Sequence, residues 1–280
     1  MKISEILISY LDSHPSFLSE NYQTQLRNSL SVFKSYLGRE PLVGDLSPQQ
    51  VNRWLVHLQT QGRSPKTIKH RRNSILVLWK HAFEDLLVTD VPPRAKRVKL
   101  EPKVPQSWDH EQLKTLLSTM LDDESLMQNR IKRGLWFSSL SLGLFSTGLR
   151  LSDLLKAKGS EIGSEGLYEV IQSKTGRLIR RKIHPLALGL IKMTGNNPRE
   201  YLWDLPYNRT WVYKWFKVYV QKAGLPAGTT RWIRRTAATE VCRAEGMESA
   251  RKFLDHQSLH TLVNHYLSET DSRDHSGPTL

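Results

Sequence analysis

The chain has 280 residues, 39% of them hydrophobic, and a formal net charge of +14. That length fits one large domain or two ordinary ones, and no apolar run approaches the roughly 18 residues of a membrane-spanning helix. A single cysteine, Cys242, excludes an internal disulfide framework and a cysteine-based zinc cluster, and suits a reducing, cytoplasmic setting. The charge excess points to a polyanionic partner. Nucleic acid is favoured over an anionic membrane, because the basic residues are spread through structured segments and not gathered in one amphipathic helix.

Residues 2–12 keep Ile3, Ile6, Leu7, Tyr10 and Leu11 on one face, which predicts a helix. Glu5 and Asp12 lie inside that stretch, which is not expected of a secretory leader. The segment 19–37 opens on Ser19 as an N-cap and stops at Gly38, with Leu26, Leu30, Phe33 and Leu37 as its stripe. "SPQQ" at 47–50 and "SPKT" at 64–67 are Ser-Pro helix starts. The helix after Ser64 is bipartite. Lys66, Lys69, His70, Arg71 and Arg72 precede Ile75, Leu76, Leu78, Trp79, Ala82 and Phe83. The basic half is expected to lie against phosphates, which makes Lys66, Lys69, Arg71 and Arg72 candidate DNA contacts. A solvated basic face is the alternative.

Residues 88–105, "VTDVPPRAKRVKLEPKVP", hold four prolines and five Lys/Arg in eighteen positions. This reads as an extended basic linker lying along DNA, with a nuclear-localisation stretch as the alternative. The expected organisation is a helical DNA-binding domain at 1–90, a linker at 91–105 and a second domain at 106–280. In that second domain helices are expected near 108–121, 124–146, 186–193, 208–223, 231–245, 247–254 and 258–268. The strand "LYEVIQ", the turn "SKTGR" and the strand "LIRRKI" form a hairpin. The fold class is therefore mainly α with a small β-hairpin. The last dozen residues are polar and expected to be flexible or bound to a partner.

No P-loop, GxGxxG, HExxH or EF-hand pattern occurs, and the carboxylates do not cluster as Mg²⁺ ligands. His256, His260 and His265 fall close together, and His256 and His260 could share a helix face at i,i+4. No carboxylate or cysteine set completes a metal site. Neither a metal nor a cofactor is expected.

"STGLRLSDLL" at 146–155, "SKTGR" at 173–177, "RWIRRTAAT" at 231–239 and "LDHQSLHTLVNHYL" at 254–267 occur in that order. Together they resemble the tyrosine recombinases, the phage-integrase family. The likeness covers roughly 106–270, and the N-terminal helices are similar in kind to that family's core-binding domain. The resemblance implies catalytic roles for Arg150, Lys174, Arg231, Arg234, His256 and Tyr266, with Asp153 supporting Arg150. Arg231 takes the place of the histidine that usually opens the H-x-L-R-H box. Asp255 replaces the glycine of the usual LGH triplet. His256 and Tyr266 are ten positions apart, one more than the family pattern. Arg177 and Arg235 are further candidate phosphate contacts, with a structural role the alternative for Arg235.

The implied chemistry explains these residue types. A tyrosine hydroxyl attacks the phosphodiester and keeps its energy in a phosphotyrosine link, so no ATP is needed. Arginine forks stabilise the charge on the non-bridging oxygens in the role that metal ions fill elsewhere. Lysine protonates the departing 5′-oxygen. The resemblance further implies two domains clamping duplex DNA, four protomers on two sites, and room for accessory DNA-bending proteins. It places the protein on the nucleoid, away from any membrane. Residues 1–20 are too few for a separate arm-site domain. A DNA-binding paralogue without cleavage, a type IB topoisomerase-like enzyme and a basic RNA-binding protein remain open alternatives.

Overall fold

A computed structural model of the chain describes residues 1–14, 18–89, 105–163, 165–173, 175–193 and 201–265. The expected linker, apart from Pro105, lies outside the described residues, as do Lys174, Tyr266 and the polar tail. The chain divides into two compact units, Met1–Glu101 and Pro102–Leu280.

Among the described residues the first unit holds the α-helices α1 (Ile3–Asp12), α2 (Glu20–Leu37), α3 (Pro48–Thr60) and α4 (Pro65–Glu84). Their starts are local chemistry. The hydroxyls of Ser19, Ser47 and Ser64 accept from the backbone N–H three residues on, at 3.3, 3.2 and 3.2 Å. Each satisfies a donor that a helix N-terminus leaves unpaired. Gly38 ends α2 in the left-handed region, at φ +68°. The stripes then meet in one core around Leu26, Phe33, Trp54, Ile75, Leu78 and Trp79, all fully buried.

The second unit is built on α5 (His110–Leu121), α6 (Arg133–Thr147), the one-turn α7 (Leu151–Leu154) and the hairpin β1 (Leu167–Ile171) and β2 (Leu178–Lys182). It continues through α8 (Pro185–Met193), α9 (Arg209–Lys222), α10 (Thr230–Glu245), α11 (Met247–Phe253) and α12 (Leu259–His265). β1 and β2 pair antiparallel, with Tyr168 opposite Arg181 and Val170 opposite Ile179. The core gathers Trp108, Leu116, Trp136, Phe137, Trp203 and Tyr219. A smaller cluster of Ala238, Ala250, Leu254 and Leu262 joins α10, α11 and α12. Among the described residues no helix is long and apolar enough to cross a membrane.

The helix expected at 124–146 begins only at Arg133. Residues 123–132 form a looped bridge instead, with Arg130 at φ +59° and Met127 N–H donating to the Ile131 carbonyl at 2.9 Å. Asp123 fastens it. Its carboxylate accepts from Arg133 Nε at 2.8 Å, from Ser125 N–H at 3.0 Å and from the Tyr219 hydroxyl. Burial alone would raise the Asp123 pKa, but these donors outweigh it and hold the carboxyl well below its usual range. His256 lies in the turn before α12, so it shares no helix with His260.

Candidate active site

The "TGLR" segment turns sharply because it must. Gly148 ends α6 at φ +59°, and a Cβ there would fall 2.5 Å from a ring carbon of Phe253 on α11. Glycine alone meets both conditions. Two residues later Arg150 occupies the N-cap position of α7. Its Nη1 donates to Gln172 Oε1 at 3.1 Å and lies 3.7 Å from Asp153 Oδ2. The Asp153 side chain is 0% exposed, and a carboxylate so placed needs a partner. Asp153 Oδ1 also accepts the Ser173 N–H at 3.1 Å, and Gln172 Oε1 accepts the Thr175 hydroxyl at 2.8 Å. Arg150 is thus linked to the residues on both sides of Lys174. Lys156 adds a second basic group there, its Nζ donating to the Ser173 hydroxyl at 3.0 Å.

Arg234, on α10, is only 3% exposed. Its Nη1 donates to the carbonyl of Gly148, and its Nη2 to the carbonyl of Leu254 at 3.0 Å. One guanidinium therefore joins the segment before Arg150 to the segment before His256. The planar fork suits this task, since its donors point along fixed directions.

His256 is 7% exposed. Asp255 beside it has φ +50°, the left-handed conformation that glycine adopts most easily and that aspartate tolerates better than most residues. The turn survives replacement of the glycine that the resemblance leads one to expect. Arg251 closes it. Its Nη1 donates to the His256 carbonyl at 2.6 Å, and its own carbonyl accepts the His256 N–H at 3.0 Å. The Glu248 carboxylate grips Arg251 from the other side, at 2.8 and 2.5 Å.

The hairpin docks on this turn. Arg177 Nη1 lies 3.6 Å from Asp255 Oδ1. Arg181 Nη2 donates to the carbonyls of Lys252 and Phe253 at 3.1 and 2.8 Å. Burial lowers the pKa of this guanidinium from its ordinary value, and the Asp255 carboxylate opposes the effect. Sequence reading missed both Arg181 and Arg251. For Arg181 a signal existed, since strand alternation puts it on the same face as Ile179, where an apolar residue is expected.

Arg231, in the first turn of α10, is exposed. Arg235 Nη1 donates to the Gln106 carbonyl at 3.0 Å. On α4, Lys66 and Lys69 are exposed, whereas Arg71 Nη1 donates to the Ser29 hydroxyl at 3.1 Å. Arg72 Nη1 donates to Asn73 Oδ1 at 3.3 Å. Among the described residues no group of three or more His, Cys, Asp or Glu could hold a metal ion.

No protein-family model matches the chain. It is 24% identical over 290 residues to a tyrosine recombinase XerC-like protein of Caldanaerobacter subterraneus subsp. tengcongensis, covering 88% of this chain and 72% of that one. It also shares its fold with a lambda integrase solved as a dimer bound to a COC′ core site. There the TM-score is 0.76 at 18% identity, over 100% of this chain and 80% of the other. The Tn1549 transposon integrase in complex with circular intermediate DNA gives a TM-score of 0.72 at 16% identity, over 97% of each chain. A lambda integrase tetramer bound to a Holliday junction gives 0.73 at 18% identity, over 92% of this chain and 78% of the other. The chain is thus similar in sequence over 88% of its length to a tyrosine recombinase XerC-like protein, and over 100% of its length it shares the fold of the lambda integrase.

Proposed function

We propose that this chain is a site-specific DNA recombinase that cleaves and rejoins duplex strands through a covalent phosphotyrosine. The carrying observation is the convergence of Arg150, Arg234, the turn before His256 and both neighbours of Lys174 into one hydrogen-bonded cluster. These groups come from four separated sequence boxes, and the fold brings them together.

In this reading the Tyr266 hydroxyl oxygen attacks the scissile phosphorus. A tyrosyl–phosphorus bond forms as the bond from phosphorus to the 5′-oxygen breaks. Lys174 gives its proton to that departing oxygen. His256 receives or relays the tyrosine proton. Arg150 and Arg234 stabilise the negative charge that builds on the non-bridging oxygens. Attack by a 5′-hydroxyl from another strand reverses the step and exchanges strands. The ester link conserves the phosphodiester's energy, so ATP is not needed.

The partner is duplex DNA. The +14 charge supports it, and so does the DNA bound by the integrases of the same fold. Lys66, Lys69, Arg72, Arg177, Arg231 and Arg235 are proposed phosphate contacts or neighbours. Arg71, half-buried on Ser29, contributes structure as well. Four protomers would act on two sites, as the tetrameric lambda integrase on a Holliday junction suggests. Accessory DNA-bending proteins would serve the assembly.

The test is a trap. Duplexes selected by binding from a random library are nicked at successive positions and incubated with the full chain, then denatured. A covalent protein–DNA adduct is expected with the native chain and none with Tyr266→Phe. A bound duplex that gives no adduct at any nick position leaves a DNA-binding protein without cleavage.

A further inference from the structure

Arg181 is out of character for its position. It faces inward on β2, opposite the buried Tyr168 and on the same side as Ile179. An apolar side chain would pack there at lower cost, because a half-buried guanidinium gives up part of its hydration. What it gains is a set of backbone carbonyls. Nη1 donates to the Arg180 carbonyl at 2.7 Å, and Nη2 to Lys252 and Phe253 at 3.1 and 2.8 Å. The last two are the C-terminal carbonyls of α11, which carry partial negative charge; that of Lys252 also accepts the Asp255 N–H at 3.0 Å. The chain continues from them directly into Asp255 and His256. In the other direction β2 leads back to the turn that carries Lys174.

We propose that Arg181 is a positioning residue. It clamps the hairpin to the end of α11 and so sets the proton donor of the Lys174 turn against the His256 side of the site. This rests on the role given to Lys174 above. The Arg177–Asp255 pair is a second and more exposed link between the same two segments, with Arg177 46% exposed. It is the weaker of the two, because solvent screens it.

A leaving-group test separates positioning from general structure. The trapped duplex is made with either the natural oxygen or a sulfur at the scissile 5′ position. A 5′-thiolate departs without a proton, so it bypasses the proton donor and nothing else. Single-turnover cleavage is then measured for the native chain and for Arg181→Gln, Arg181→Lys and Lys174→Ala. Arg181→Gln should slow cleavage of the oxygen substrate by about tenfold or more. On the sulfur substrate it should return to within about threefold of the native rate. Arg181→Lys, which keeps the charge but loses the fork, should fall between. It also carries the test alone if Arg181→Gln does not fold. Equal slowing on both substrates, or no slowing on either, overturns the proposal while leaving the recombinase reading intact. Lys174→Ala is the reference for that reading. If sulfur fails to rescue it, the proton-donor assignment falls and the role of Arg181 falls with it.

Discussion

Asp255 and Arg177 form an ion pair at 3.6 Å across the gap between the His256 turn and the hairpin, while Asp255 holds φ +50°. Asp255, where the resemblance leads one to expect a glycine, thus does two things. It tolerates a left-handed backbone, and it gives the hairpin a carboxylate to meet.

These two effects oppose each other in Asp255→Gly. Glycine removes the left-handed penalty, about 1 kcal/mol for an L-residue, and gives up an exposed ion pair worth at most about 1 kcal/mol. The net change in unfolding free energy should stay within about 1 kcal/mol. Asp255→Val loses the pair and puts a β-branched residue at φ +50°. It should cost about 1–3 kcal/mol in urea unfolding. Equal stability of the two variants would show that the turn is not held left-handed.

Two glycines with similar dihedrals should respond differently. A methyl added at Gly176, φ +67°, would meet nothing within 4 Å, whereas one at Gly148, φ +59°, would meet the Phe253 ring at 2.5 Å. Gly176→Ala should cost about 1 kcal/mol, the conformational penalty alone. Gly148→Ala adds overpacking and should cost about 2–4 kcal/mol. Thermal or urea unfolding of both variants checks the difference.

Arg234→Lys tests the fork. A lysine keeps the charge but cannot reach the carbonyls of Gly148 and Leu254 with the same planar geometry. At least one buried carbonyl loses its donor, so the variant should be destabilised by about 1–3 kcal/mol. Adduct formation in the trapping assay should fall with it. A variant of native stability would mean that the two carbonyls find other donors.

The Asp123 cluster predicts acid sensitivity. The carboxyl pKa is depressed in the folded state, so the contribution to stability is fully present above the unfolded value near 4. It is lost as pH falls through and below that value. Urea midpoints measured from pH 7 to 3 should therefore fall more steeply for the native chain than for Asp123→Asn, and the gap between the two curves should begin to narrow below about pH 4 and still be open at pH 3, because the folded-state value lies lower still. The Tyr219 phenol shifts the other way, raised by burial and by Asp123. The stability it contributes is present below about pH 10 and declines above it. Tyr219→Phe should flatten that alkaline limb.

Much of the fold was legible because its causes are local. Ser19, Ser47 and Ser64 start their helices through a bond to a residue three positions on, and Gly38 ends one through its own dihedral. A one-dimensional reading suffices for such features. The hairpin was legible from its alternation and its Gly176 turn. The loop at 123–132 was not, because its carboxylate anchor binds Tyr219, 96 residues away. That bond overrides the helical pattern of the segment.

The sequence by itself determined where the serine-capped helices begin, which faces are apolar, and that four boxes in order carry a set of basic groups, a histidine and a tyrosine. Tertiary structure alone decided what those groups do to one another. Arg234 reaches 86 residues back to Gly148 and 20 residues on to Leu254. Arg181 reaches 71 and 72 residues on, to the end of α11. Spacing along a chain does not encode such contacts. They follow from how the helices and the hairpin pack, and from the rule that a buried polar group must find a partner wherever the fold places one.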